Sequence, residues 1–237
     1  MNTTFESTYG NYSAAEAMPA ERAEFIRKTY LHLAGAIAVF AGIETFLMSS
    51  GIGEIAARTM LGGRWSWFMV LLAFMGVSML ANWWANSQTS KAMQYLGLGL
   101  YTVAEAIIFV PLLFIVQQTA GGGVILEAGI VTVGLFLGLT AVVFLTRKDF
   151  SFLGPILMIG GFVALGAIFA GLIFGFNLGI FFAWIMVAFA GGSILYETSN
   201  VMHRYNTNQY VAASLSLFAS VALLFWYILR IFMGSRN

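Results

Sequence analysis

Long apolar runs alternate with short polar connections along almost the whole chain after residue 29. A helix needs roughly 20 apolar residues to cross a bilayer core about 30 Å thick, and seven of the runs meet that length. The pattern predicts an all-α integral membrane protein in which seven transmembrane helices form one compact bundle, because such short connections make successive helices antiparallel neighbours. The predicted spans are residues 30–48, 65–84, 93–116, 124–145, 152–174, 178–196 and 211–233.

Residues 1–29 are polar and mildly acidic. They lack the apolar core of a signal peptide, so we do not expect this segment to be a cleaved leader. The predicted organisation is therefore a cytoplasmic N-terminal tail, residues 1–29, followed by a seven-helix transmembrane domain, residues 30–237.

The distribution of Lys and Arg predicts the orientation, because loops on the cytoplasmic side of a membrane carry more of these residues. Seven of them lie on the N-terminal side of the predicted bundle and four on the opposite side, which places the N-terminus in the cytoplasm and the C-terminus outside. The two sets are Arg22, Arg27, Lys28, Lys91, Arg147, Lys148 and Arg204, and Arg58, Arg64, Arg230 and Arg236.

The composition is typical of a protein surrounded by lipid, and it excludes several classes of function. The chain is 60% hydrophobic and 9% charged, whereas a soluble domain carries about 25% charged residues. It has no Cys, which excludes a disulfide framework, a Cys-ligated metal and a thiol nucleophile. With two His and no long basic run, we predict no resident metal or cofactor and no nucleic-acid partner.

Carboxylates at membrane depth are the main candidates for a functional site. An ionised side chain at mid-bilayer costs at least about 2.5–3.5 kcal/mol, so each one needs a reason. Glu105 lies about halfway along the third span, and Glu197 lies at the cytoplasmic end of the sixth. Each could bind a proton or a cation, or could be a structural group that is hydrogen-bonded or reaches water. The residues alone leave both interpretations open.

Two more glutamates lie near the outer ends of spans. Glu44 is in the outer part of the first span and Glu127 in the outer part of the fourth. Both are expected to reach water at the interface, and Glu44 is kept as a further ion-binding or gating candidate.

The connection between the fourth and fifth spans carries the charged run Arg147, Lys148 and Asp149. The two basic residues are typical cytoplasmic anchors. Asp149 or Ser151 is a candidate cap for the helix that follows.

Four stretches together resemble the Bax inhibitor (TMBIM) family of seven-helix membrane proteins. They are "EFIRKTYLHLAGAIAVF" at the first span, "YTVAE" in the third, "TRKDFSFLG" in the loop, and "ILYETSNVM" with "NQYVAASLSLFASVALLFWYILRIF" at the end. The resemblance covers almost all of the chain after the tail. It implies a leak pathway for cations, notably Ca²⁺, that is gated by pH through two aspartates sharing a proton on the last two helices.

The chain departs from that pattern at both aspartate positions. Glu197 corresponds to the sixth-helix aspartate, and Ser220 aligns with the seventh-helix one. A hydroxyl carries no charge to repel the carboxylate of Glu197, so the like-charge mechanism of two coupled carboxylates is missing. We therefore expect the acid pair that senses pH to be incomplete in this chain.

The stretch "ETSN" especially resembles the bacterial YccA branch of the family. That branch implies a bacterial inner-membrane protein that modulates, or is degraded by, the membrane-anchored AAA protease FtsH. Such a protease grips an exposed cytoplasmic end, and residues 1–29 have a suitable length and polarity.

Two functions are therefore carried forward, a cation leak and a non-catalytic role in membrane proteostasis and stress survival. An intramembrane hydrolase needs a Ser–His pair, an Asp–Asp pair or a metal set within the bundle. The spans contain none of these at clear mid-depth, so we predict that the protein is not an enzyme. Helix number alone also allows a seven-helix receptor, but no extended ligand-binding loop supports one.

Overall fold

Helices make up nearly all of the described chain. The computed structural model describes residues 13–87 and 90–235, and residues 1–12 of the predicted tail lie outside that part. Within it the chain forms eight helices: α1 Pro19–Ser49, α2 Ile52–Met60, α3 Arg64–Ala85, α4 Lys91–Thr119, α5 Gly123–Thr146, α6 Leu153–Phe174, α7 Gly179–His203 and α8 Tyr210–Ser235.

Seven of the helices in this part of the chain are long and apolar enough to cross a membrane, every one except α2. They coincide with the seven predicted spans and form one bundle, which confirms the predicted fold class. The helices extend beyond the apolar runs at several ends because the backbone continues its hydrogen bonding through polar residues at the membrane surface.

The first helix begins at Pro19 rather than at residue 30. Proline suits the first turn of a helix, where its missing N–H has no partner to lose, and Glu21 interacts favourably with the positive end of the helix dipole. The polar residues between Pro19 and Thr29 are therefore helical and continuous with the first span.

The short helix α2 was not predicted, because its nine residues are too few to span a bilayer. Gly51 precedes it in the left-handed conformation, with φ of 77°, and turns the chain back after α1. The helix packs against α1 and α4 at the end of the bundle opposite the N-terminus.

The centre of the bundle is formed by α4 and α8, whose residues are mostly buried, whereas α6 lies at the periphery. Aromatic rings join the inner helices to their neighbours. Phe109 of α4 meets Phe40 of α1 with ring centroids 5.1 Å apart, and Trp226 of α8 at 5.0 Å. Edge-to-face contacts of this kind add to the stability gained by burying the rings.

The backbones of α3 and α4 approach each other closely at Gly97. A Cβ built on Gly97 would lie 2.5 Å from the carbonyl oxygen of Ala81 and 2.5 Å from the amide nitrogen of Ala85. Only glycine fits this position without moving the neighbouring backbone.

The residues before α1 are attached to the connection between α7 and α8. Ser13 and Asn206 form an isolated antiparallel bridge, and the amide of Ala14 donates to the carbonyl of Tyr205 at 2.8 Å. Arg22 also donates to the carbonyl of Met202 at 3.4 Å. The segment from Ser13 to Arg22, which we call the N-terminal entry, is thus part of the packed structure.

Candidate functional site

A cavity of about 750 Å³ lies between α3, α4, α6 and α8, and we call it the central cavity. Asn177 and Arg230 line the end farther from the N-terminus. Glu105, Ser193 and Ser220 supply polar atoms deeper in the bundle. Most of the remaining wall is apolar and aromatic. The cavity therefore brings a few polar groups to the middle of a hydrophobic bundle.

Glu105 is the carboxylate of this cavity. It is 6% exposed, and its Oε1 accepts a hydrogen bond from the Tyr101 hydroxyl at 2.7 Å. Tyr101 precedes it by four residues, which is the spacing that places two side chains on one face of a helix. Among the described residues Tyr101 is the one donor to this group, so the second carboxylate oxygen is left for an occupant of the cavity.

Glu197 belongs to a second polar group, the seam cluster, formed by Glu197, Asn200, Tyr205 and Ser216 where α7 meets α8. Asn200 donates to Oε2 of Glu197 at 3.3 Å, and the Tyr205 hydroxyl lies 3.4 Å from the same oxygen. That hydroxyl is also 3.1 Å from Oγ of Ser216. The hydroxyl has one hydrogen, which it donates either to the carboxylate or to the serine, so Tyr205 links Glu197 and Ser216 in one hydrogen-bonded cluster.

The Tyr205 hydroxyl stays protonated and remains a donor at physiological pH. Burial raises the pKa of Tyr205 above its ordinary value, and the neighbouring Glu197 acts in the same direction. The seam cluster therefore keeps its hydroxyl donor at physiological pH.

Ser220 lies in the central cavity with Glu105, and its hydroxyl donates to the carbonyl of Ser216 at 3.1 Å. The hydrogen bonds of Glu197 lead instead to Asn200 and Tyr205 and, through Tyr205, to Ser216. The hydroxyl of α8 that belongs to the Glu197 network is thus one helical turn before the position suggested by the sequence.

Glu44 is buried, which contradicts the expectation that it reaches water. It is 6% exposed, and neither carboxylate oxygen has a hydrogen-bond partner among the described residues. The unpredicted helix α2 packs against α1 and α4 at this end, and the inward stripe of α1 continues to Glu44. Glu127 is exposed, as expected.

The loop that carries Arg147, Lys148 and Asp149 is fastened to α7 by Ser199. The Ser199 hydroxyl accepts from the amide of Phe150 at 2.9 Å and donates to Asp149 Oδ1 at 3.2 Å. Arg147 and Lys148 are exposed. The loop is therefore fixed in position beside the segment that carries Glu197.

The expected helix cap in this loop is wrong. The residue at the cap position of α6 is Phe152, and no side chain caps the helix. Asp149 instead accepts from the amide of Ser151 at 2.8 Å, which closes a local turn. That backbone N–H holds the pKa of Asp149 below its ordinary value, and the hydroxyls of Ser151 and Ser199 act in the same direction.

No group of three or more His, Asp or Glu side chains in residues 13–87 and 90–235 is placed to hold a metal ion. The carboxylates Glu44, Glu105 and Glu197 are instead distributed over α1, α4 and α7.

Comparison with known proteins decides the family. The sequence profile described as "Inhibitor of apoptosis-promoting Bax1" matches residues 22–237. The chain belongs to the Bax inhibitor family. It is 34% identical to an uncharacterised protein of Pseudomonas aeruginosa over 173 residues, covering 70% of this chain and 73% of the relative. It is 33% identical to Protein LIFEGUARD 4 of Arabidopsis thaliana over 230 residues, covering 92% and 87%.

A third relative of this Bax inhibitor family chain is the "Modulator of FtsH protease YccA" of Escherichia coli. The two are 38% identical over 100 residues, which cover 41% of this chain and 44% of the relative. Family membership confirms the predicted integral membrane protein. The family is non-enzymatic, which agrees with the prediction that this member is not an enzyme.

Several residues of the site were not found from the sequence. Tyr101 was detectable, because it stands four residues before Glu105 on one helix face. Tyr205 lies in a connection and Ser216 is one of several small residues on α8, so neither carries a local signal of its role.

Proposed function

We propose that this Bax inhibitor family member lets cations, Ca²⁺ in particular, leak across its membrane. The observation that carries the proposal is a discontinuous line of polar groups through an otherwise apolar bundle. The central cavity supplies Glu105, Ser193 and Ser220, and the seam cluster supplies Glu197 and Ser216.

Helix geometry supports continuity between these two groups. Residues four apart lie on the same face of a helix, so Ser193 and Glu197 are neighbours along α7, and Ser220 and Ser216 are neighbours along α8. Each helix thus carries one polar residue in the cavity and one in the seam cluster. An ion that reached Glu105 would find oxygen atoms along the α7–α8 seam.

The seam is closed in this structure. Glu197 does not line the central cavity, and large apolar side chains such as Ile194 and Leu217 are fully buried near the same turns. Passage along this line requires α7 and α8 to separate. We therefore propose a low-rate leak with a closed resting state, in which the connection through Tyr205 holds the two helices together.

Ca²⁺ entry into liposomes that contain the purified protein tests this function. We expect entry above that of empty liposomes, with the difference growing in proportion to the protein reconstituted. Entry equal to that of empty liposomes at both neutral and mildly acidic pH would remove the proposal.

We also propose an N-terminus in the cytoplasm and, given bacterial relatives, a place in a bacterial inner membrane. Seven of the chain's eleven Lys and Arg residues lie on the N-terminal side of the bundle, which supports this orientation. Under it, the central cavity faces the outside and the seam cluster lies near the cytoplasm.

A second candidate function is modulation of an FtsH-type membrane protease, within a YccA-like branch of the family. The similarity to the FtsH modulator of Escherichia coli favours it. In this chain residues 13–29 belong to packed structure, with Ala14 and Phe25 buried. The proposal is therefore restricted to residues 1–12 of the predicted tail, which lie outside the described part of the chain.

Deleting residues 2–12 tests this second candidate. We expect the half-life of the protein in cells to lengthen severalfold when the protease is present and to stay unchanged when it is absent. The deletion spares Ser13 and Ala14, so the bridge to the α7–α8 connection is retained. Equal turnover of the two chains in protease-containing cells would contradict the mechanism.

A further inference from the structure

A narrow apolar groove runs along the outside of the bundle between α1 and α4, separate from the central cavity. Its volume is about 330 Å³, and its walls include Leu31, Gly35 and Val39 of α1 and Leu98 and Gly99 of α4. A Cβ added at Gly35 or at Gly99 would meet nothing within 4 Å. Because these two glycines lack side chains, the groove stays open on the lipid-facing surface of the bundle.

The end of the groove near the N-terminal side of the bundle is polar and aromatic. His32 and Tyr95 line it, and both pack against Tyr210 at the start of α8. The hydroxyls of Tyr95 and Tyr210 are 3.1 Å apart. The groove is therefore apolar along most of its length and ends at a cluster of hydrogen-bonding side chains at the expected membrane surface.

Two ammonium groups meet at the same tyrosine. Nζ of Lys28 lies 5.4 Å from the centre of the Tyr210 ring, and Nζ of Lys91 lies 4.5 Å from it. Lys28 pairs with Glu24 at 2.7 Å. Lys91 contacts the side chain of Gln94 and the carbonyl of Asn208, and in the described part of the chain it has no carboxylate partner. Two cations therefore share one anion at this end of the groove.

The helix ends add to the positive potential. Both α4 and α8 begin beside this cluster, at Lys91 and Tyr210. A helix N-terminus carries a partial positive charge and favours anions. A single negatively charged group between the two lysines would complement this local excess.

We propose that the groove between α1 and α4 binds one anionic phospholipid. An acyl chain would lie in the groove past Gly35 and Gly99. The phosphodiester would lie between Lys28 and Lys91, beside the tyrosine hydroxyls. Basic pockets between transmembrane helices are suited to anionic headgroups. The apolar part of the groove would be filled by an acyl chain attached to that headgroup. Inorganic phosphate has no such chain.

The headgroup chemistry also separates anionic from zwitterionic lipids. A phosphatidylcholine would bring its own quaternary ammonium to a cluster that already holds two lysines. Phosphatidylglycerol brings a net negative charge and hydroxyls that can accept from Lys28 and Lys91. We expect the site to prefer phosphatidylglycerol for this reason.

Native mass spectrometry of the detergent-solubilised protein, titrated with dioleoyl phosphatidylglycerol, tests the proposal. We expect one tightly bound lipid per chain. Each lysine near a charged lipid surface is worth about 1 kcal/mol, so Lys28→Gln with Lys91→Gln should raise the dissociation constant roughly thirtyfold. Dioleoyl phosphatidylcholine should bind more weakly than phosphatidylglycerol, and inorganic phosphate should not compete for the site.

Two matched controls make the result specific. Arg147→Gln with Lys148→Gln removes the same charge from an exposed loop on the same side and should leave the dissociation constant unchanged. Gly35→Leu fills the groove and should abolish tight lipid binding. Gly42→Leu adds the same side chain at another open position of α1 and should leave lipid binding unchanged.

Three results would each overturn the proposal. The first is an equal loss of affinity in the loop double variant. The second is binding that Gly35→Leu leaves intact. The third is phosphatidylcholine or inorganic phosphate matching phosphatidylglycerol. None of these measurements depends on ion flux, so the lipid site stands or falls independently of the proposed leak.

Discussion

Replacing Glu105 by Gln should lower Ca²⁺ entry into liposomes at least tenfold. Glu105 is the acidic side chain that lines the central cavity, and it lies near the middle of α4, where its ionised form would attract a cation. Two unit charges about 4 Å apart interact with about 4 kcal/mol at an effective dielectric constant near 20. Losing even a third of the corresponding attraction on a Ca²⁺ ion at the barrier amounts to a tenfold change in rate.

The substitution is designed to keep the fold. The amide oxygen of Gln can still accept from the Tyr101 hydroxyl, which now donates to Glu105 at 2.7 Å. Glu127→Gln is the matched control, because it makes the same chemical change on the exposed surface of α5, away from the cavity. Equal loss of entry in both variants, or full entry in Glu105→Gln, would show that the cavity carboxylate has no special role.

Replacing Gly97 by Ala should destabilise the whole bundle. The added Cβ would lie 2.5 Å from backbone atoms of Ala81 and Ala85, so α3 and α4 must move apart. Forcing a methyl group into packed backbone costs about 1–3 kcal/mol. In a chain of this size each kcal/mol lowers the melting temperature by about 2–4 °C, and we expect a decrease of about 2–12 °C in detergent.

Gly134→Ala is the control for this measurement. Gly134 lies on α5, where an added Cβ meets nothing within 4 Å. Alanine is also the better helix former, so this variant should melt at or slightly above the wild-type temperature. A melting temperature for Gly97→Ala no lower than that of Gly134→Ala would contradict the close contact between α3 and α4.

The seven spans could be predicted because one physical quantity determines them. A helix in lipid must be apolar over the thickness of the bilayer, and the length of an apolar run reports this directly. The same criterion explains what was missed. The short helix α2 does not need to cross the bilayer, and the first turns of α1 are polar because they meet water.

Some of the missed structure had a signal that hydropathy does not record. Pro19 followed by Glu21 is a typical start of a helix, and it marks the beginning of α1 correctly. The burial of Glu44 had no such signal. It depends on α2 folding back against α1 and α4, which is a tertiary event rather than a property of the residues around Glu44.

The composition of the candidate site was only partly predictable. The buried position of Glu105 follows from its depth in an inner helix, and sequence reading identified it. Which hydroxyl of α8 joins Glu197 depends on the rotation of α7 and α8 about their axes. A turn separates Ser216 from Ser220, and the sequence pattern has no information at that resolution.

The attachment of the N-terminal entry to the α7–α8 connection has a mechanical consequence. Ser13 pairs with Asn206, and Ala14 donates to the carbonyl of Tyr205, the residue whose side chain reaches Glu197. A pulling force applied to residues 1–12 would therefore load the α7–α8 connection before it extracted the first span. Pulling on the end of the chain and opening of the polar seam would therefore act on the same residue, Tyr205, the first through its backbone carbonyl and the second through its hydroxyl.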